Sequence, residues 1–223
     1  MGCRNIVVAL RDTSTCLEWV ENFRTGLVSV DDDGDNSPEV ECGFQSLYKT
    51  AVRDEPSLSS AVEEEVKKLT EQYAGEEMSI TLAGHSLGVA SAVLAVDEVA
   101  AHVPPSVPMA VFSFGGPRVG NQAFANKVEG RGVKVMWVVN AHDLVTRVPA
   151  KLLPMSTNGY AHVGRELRVD SRRSPYLRPG AVMLLAGRNV YSVNSQVISH
   201  ASSHISSDAI AVSSGNGCSV SFH

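Results

Sequence analysis

The sequence predicts an α/β fold with a mostly parallel central sheet covered by helices on both faces. Three observations carry this expectation. Short apolar runs of strand length alternate with stretches of helical periodicity, the alternation that builds βαβ units. The first of those runs is continuous and rich in β-branched residues, as suits a strand buried on both faces of a parallel sheet. The 223 residues, 43% of them apolar, suffice for one sizeable core, so one domain is favoured over two.

Ile6-Val7-Val8-Ala9-Leu10 is that first strand, so the chain starts inside the sheet. Arg11-Asp12-Thr13-Ser14 then turns it, and Leu17, Val20 and Phe23 recur at the spacing of a short helix over 16–23. From Leu58 the apolar positions Val62, Val66, Leu69 and Tyr73 follow one helical face. Ser60 and Glu63 are spaced as a capping box for this helix, and Gly75 stops it. Met78 to Ala83, Met109 to Phe114 and Lys134 to Asn140 read as further strands, and Tyr160 to Asp170 as one more. Pro104-Pro105 and Pro108 mark an exposed connection between a helix and a strand. Residues 1–191 are taken as a single domain. Residues 192–223 differ: eleven serines and one charged residue, Asp208, in a chain that is 19% charged, predict a poorly ordered tail.

Several function classes are excluded on composition. The net charge of -5 comes from acidic residues spread along the chain, with no basic stripe for a phosphate backbone, so nucleic acid is not expected as a partner. No apolar run approaches the length of about 20 needed for a transmembrane helix, and the N-terminus lacks a basic segment followed by an apolar one. A soluble chain is expected. Cys3, Cys16, Cys42 and Cys218 lack metal-ligand spacing and are expected as reduced thiols. The acidic run Asp31-Asp32-Asp33-Gly34-Asp35 fails as a calcium loop, because Val40 stands where the loop needs a bidentate glutamate, and is read as a solvated surface.

The chemistry lies in Gly84-His85-Ser86-Leu87-Gly88, directly after one predicted strand and before the small, helix-compatible run Val89 to Ala95. A nucleophile elbow needs that context: the serine takes a strained conformation between strand and helix, and the glycines let the two backbones approach. This predicts an α/β-hydrolase with Ser86 as nucleophile. The Leu87 amide, at the start of the helix, is placed to stabilise an oxyanion. The acid and histidine follow the serine in this fold. Asp143 lies just beyond the carboxyl end of the strand Lys134 to Asn140 and is the candidate acid; the competing role for it is an Asx turn or helix cap. His85 is read as structural, His142 as too close in sequence to face Asp143, and His162 as a satisfied core or surface histidine.

These motifs together resemble the class 3 (triacylglycerol-type) lipases, and within them the plant enzymes that cleave the sn-1 ester of phospholipids and galactolipids. Besides the elbow, the matching segments are Phe114-Gly115-Gly116-Pro117-Arg118-Val119-Gly120-Asn121, Val139-Asn140 through Val148-Pro149, and Tyr160-Ala161-His162-Val163-Gly164-Arg165-Glu166-Leu167. The resemblance covers roughly residues 4–180. It implies a lipase fold, ester hydrolysis with no metal and no organic cofactor, an acyl-lipid substrate, peripheral contact with a membrane lipid surface and a chloroplast location. With no transit peptide in the sequence, the cytoplasm is the expectation for the chain as written. The resemblance also makes Ser86 and Asp143 members of the triad and gives Thr13 as the second oxyanion amide.

Two positions depart from the family pattern. Asp12 stands where the family carries glycine, beside the proposed oxyanion hole. No histidine occurs between 163 and 199, where the family's base is expected, so the C-terminal part reads as altered; the chain begins within its first strand, so the N-terminal part reads as truncated. His200 is then the candidate base, the first histidine after the final strand, with His204 next. Two further functions stay open: a lipase-like binding protein that lacks the triad histidine, and an esterase for small soluble esters.

Overall fold

The computed structural model describes residues 4–10, 26–31, 37–51, 55–141, 143, 145–147, 159–170, 173, 210–214 and 218–221. The expected helix over 16–23 falls outside them. In chain order the elements are β1 (Arg4–Leu10), β2 (Leu27–Ser29), β3 (Glu39–Glu41), α1 (Cys42–Lys49), α2 (Leu58–Gln72), β4 (Met78–His85) and α3 (Leu87–His102). There follow β5 (Met109–Phe114), β6 (Gly120–Asn121), α4 (Gln122–Gly130), β7 (Lys134–Asn140), a 3-10 turn (Val145–Arg147), β8 (Tyr160–Ala161), β9 (Arg165–Val169), β10 (Ile210–Ser214) and β11 (Cys218–Ser221).

The main sheet has the order β11-β10-β1-β4-β5-β7-β9. From β1 to β9 every pairing is parallel; β10 and β11 add an antiparallel hairpin against β1. The register lines up Ile6, Ile80 and Met109 in one row and Val8, Leu82, Val111 and Val135 in the next. All seven are buried. These rows meet α3, of which residues 87–97 are buried throughout, and the same core takes in Val62, Val66 and Leu69 of α2. A helix apolar around its whole circumference belongs in such an interior. β1 departs from the expected burial on both faces: Ile6, Val8 and Leu10 are buried, but Ala9 is exposed. On that second face Phe112, Met136, Leu167 and Val169 are 36–47% exposed.

A small antiparallel sheet, β2-β3-β6-β8, sits beside the main one. The single strand expected over Tyr160 to Asp170 is divided between the two sheets, β8 in one and β9 in the other. Gly164 makes the break: its φ of +85° suits glycine, and a side chain there would run into the Val135 carbonyl. The cap of α2 also differs from the capping box at Ser60. Ser57 is the N-cap, its Oγ accepting from the Ser60 N–H at 3.1 Å, because the helix starts at Leu58, two residues before Ser60. Of residues 192–223, the described ones form the strands β10 and β11. Cys42, half-buried at the start of α1, donates its thiol to Glu41 Oε1 at 3.7 Å. Asp31, at the edge of the acidic run, pairs with Lys127 at 2.8 Å. The Pro104 to Pro108 connection turns with the Val107 N–H donating to the Pro104 carbonyl at 2.9 Å.

Candidate active site

Residue 86 joins the central strand β4 to the buried helix α3. Ser86 has φ +52° and ψ -121°, the one non-glycine residue with positive φ among the described residues. Such a conformation costs of order 1–3 kcal/mol and persists where neighbours hold it. They do so here. The Ser86 N–H donates to the Phe114 carbonyl at 3.0 Å, and the Ser86 carbonyl accepts from the Val89 N–H at 3.1 Å. A Cβ on Gly84 would lie 2.5 Å from the Gly88 carbonyl group and 2.6 Å from the Val89 nitrogen. The strand and helix backbones are therefore in contact, and a side chain on Gly116 would likewise overlap Val89. Leu87 opens α3, so its amide belongs to the first turn, whose N–H groups lack intrahelical partners.

Asp143 follows β7, two parallel strands across from β4 through β5. Ser86 and Asp143 thus both follow the carboxyl ends of parallel strands of the one sheet. Asp143 is buried. Its N–H donates to the Asn140 carbonyl at 2.9 Å, its Oδ1 accepts from the Val145 N–H at 2.9 Å, and the Thr146 hydroxyl donates to its carbonyl at 3.1 Å. The turn-capping role weighed for Asp143 is therefore real, and one carboxylate oxygen serves it.

His162, read from the sequence as a satisfied core or surface histidine, has definite partners. Its ring stacks on Trp137 of β7, with centroids 3.3 Å apart and planes 24° from parallel. Nε2 lies 3.1 Å from the Thr146 carbonyl. Burial lowers its pKa to about 3; the Arg118 charge acts in the same sense and the bond to Thr146 opposes it. The ring is neutral at physiological pH. The inward position of Trp137 in its strand was the available signal; the pairing with residue 162 is tertiary and lay beyond sequence reading.

The proposed base His200, its alternative His204, the oxyanion residue Thr13, Asp12 and His142 lie outside the described residues. Among the described residues, no group of three or more His, Cys, Asp or Glu side chains could hold a metal ion, and no helix is long and apolar enough to cross a membrane.

Comparison with known proteins points one way. Residues 7–153, which include both Ser86 and Asp143, match the family described as lipase (class 3). The chloroplastic phospholipase A(1) DAD1 of Arabidopsis thaliana is 38% identical over 208 residues, covering 79% of this chain and 46% of the relative. The chloroplastic galactolipase DONGLE of the same plant is 37% identical, with 76% of this chain and 42% of the relative covered. This chain spans under half the length of these curated relatives. Among solved structures, a triacylglycerol lipase whose catalytic centre is formed by a serine protease triad superposes with a TM-score of 0.60 at 26% identity, over 74% of this chain and 57% of that one. The elbow at Ser86, the parallel sheet behind it and the match over residues 7–153 agree: the chain belongs to the class 3 lipase family.

Proposed function

We propose that this chain is a carboxylic ester hydrolase for acyl lipids, acting on the sn-1 ester of phospholipid or galactolipid, with triacylglycerol as a further substrate. The observation that carries the reading is the positive φ of Ser86, held between two glycines where β4 turns into α3. No other described side-chain-bearing residue is so strained. In the proposed reaction the Ser86 hydroxyl attacks the acyl carbonyl and passes its proton to His200, which Asp143 orients. The amides of Leu87 and Thr13 stabilise the tetrahedral oxyanion. The protonated histidine releases the alcohol, and water then cleaves the acyl-enzyme by the same route in reverse. Relatives named as chloroplastic support work at a chloroplast membrane, with the protein touching the lipid surface from outside.

A fluorophosphonate probe tests the assignment. The adduct is expected on Ser86, and Ser86→Ala is expected to abolish hydrolysis of phospholipid vesicles; an adduct on another serine with Ser86 unmodified would remove the proposal. Asp12→Gly is expected to raise turnover, since a carboxylate beside a developing oxyanion opposes it. Unchanged or lower turnover would place the Asp12 side chain away from the site.

A second reading rests on the absence of histidine from residues 163–199: a lipase-like protein that binds lipid with little catalysis. Loss of the triad base lowers turnover by about a million-fold, while oxyanion hole and binding alone retain roughly 10³–10⁴ over water. Hydrolysis by the 1–223 protein that survives Ser86→Ala but not His200→Ala would refute the Ser86 mechanism; vesicle binding without hydrolysis selects the second reading.

A further inference from the structure

We propose that His162 is a positioning residue for Asp143, holding the turn that presents the carboxylate. The inference rests on the reading of Asp143 as the triad acid. The turn after β7 is tied at its near end by the Ala141 N–H, which donates to the Val169 carbonyl at 2.8 Å. Its far end is Thr146, buried within the 3-10 turn, and its carbonyl lies 3.1 Å from His162 Nε2. A carbonyl only accepts, so Nε2 carries the proton. From Thr146 the chain of contacts closes on the acid. The Thr146 hydroxyl bonds the Asp143 carbonyl, and the neighbouring Val145 N–H bonds Asp143 Oδ1.

The ring itself is fixed by Trp137, in the strand that leads into this turn. Among the described residues the indole Nε1 has no hydrogen-bond partner; the contact is one between ring faces and sets the plane in which Nε2–H points. Two anchored ends and a neutral, oriented donor define where the carboxylate sits relative to β7. Displacing a catalytic group by about 1 Å can lower turnover on the order of 10²-fold, so an anchor this close to the acid bears on rate.

Two variants of the full 1–223 chain separate the bond from the stack. His162→Phe keeps an aromatic face against Trp137 and deletes the donor, whereas His162→Gln restores a donor. In ¹⁵N-labelled protein the Phe variant is expected to speed amide exchange of Val145 at least about 10-fold. Amides of β5 should be unaffected and the Gln variant close to the unaltered protein. On p-nitrophenyl butyrate the Phe variant is expected to lose about 10–100-fold in kcat at unchanged KM, with recovery in the Gln variant. Unchanged Val145 exchange in a folded Phe variant overturns the proposal, as does a kcat loss that the Gln variant shares in full. Should the Phe variant not fold, imidazole ¹⁵N shifts of the unaltered protein decide: a neutral Nε2–H tautomer persisting to about pH 4 is expected, and an Nδ1–H tautomer, or titration near the ordinary histidine value, overturns it. Hydrolysis unchanged in Ser86→Ala strikes the hydrolase reading instead, while the exchange and shift measurements still decide the role of His162.

Discussion

Packed against Trp137, His162 stays uncharged in the folded protein far below the pH at which it takes a proton when unfolded. Its folded pKa near 3 lies under the unfolded value of about 6.5. Between those two values the unfolded chain binds the extra proton, so this site's contribution to stability is complete above about pH 6.5 and is lost as pH falls towards 3. The whole window bounds the effect at roughly 5 kcal/mol. His162→Gln is therefore expected to flatten the fall in stability between pH 7 and pH 4.5, measured by urea midpoints at the two values. The elbow gives a second expectation at this scale. In Gly84→Ala the new methyl meets backbone atoms of Gly88 and Val89, which cannot rotate aside, so a loss of about 1–3 kcal/mol or more is expected. Gly75→Ala, with open space around the added carbon, is expected to leave the melting temperature unchanged within about 1 °C.

Among the elements, α2 offers the sharpest test of capping. Ser57 and Ser60 both have the chemistry of a cap, and their hydroxyls lie 2.9 Å apart. Since Ser57 accepts from the Ser60 N–H, Ser57→Ala is expected to destabilise by about 1 kcal/mol and Ser60→Ala by clearly less, as thermal unfolding of the two variants would register. The apolar periodicity of α2 was legible because it depends on residues four apart. The start at Leu58 was legible too, but the capping serine was not, since Ser57 and Ser60 stand on either side of the first residues of the run. β4, β5 and β7 were legible to within a residue or two, for each is a strand-length apolar run bounded by turn chemistry. The split between β8 and β9 was hidden, because the break at Gly164 arises from the approach of Val135, residues apart in sequence and adjacent only in the fold.

For the whole molecule the same division holds. The elbow at Ser86 could be read because strand, turn and helix are consecutive in sequence, and the place of Asp143 because the strand before it was legible. The strands β10 and β11 could not be read from composition: a backbone ladder draws on main-chain groups, which a serine-rich segment carries as an apolar one does. Removal of residues 210–223 would uncover the outer edge of β1, and such a truncated chain is expected to associate, with a concentration-dependent rise in light scattering that the full chain lacks. The pairing of Ile6 with Ser214 also sets an order of events during synthesis. A ribosome adding about 5–20 residues per second needs roughly 10–40 s to make the chain between them. Throughout that interval the nascent first strand lacks β10, the neighbour that covers its outer edge.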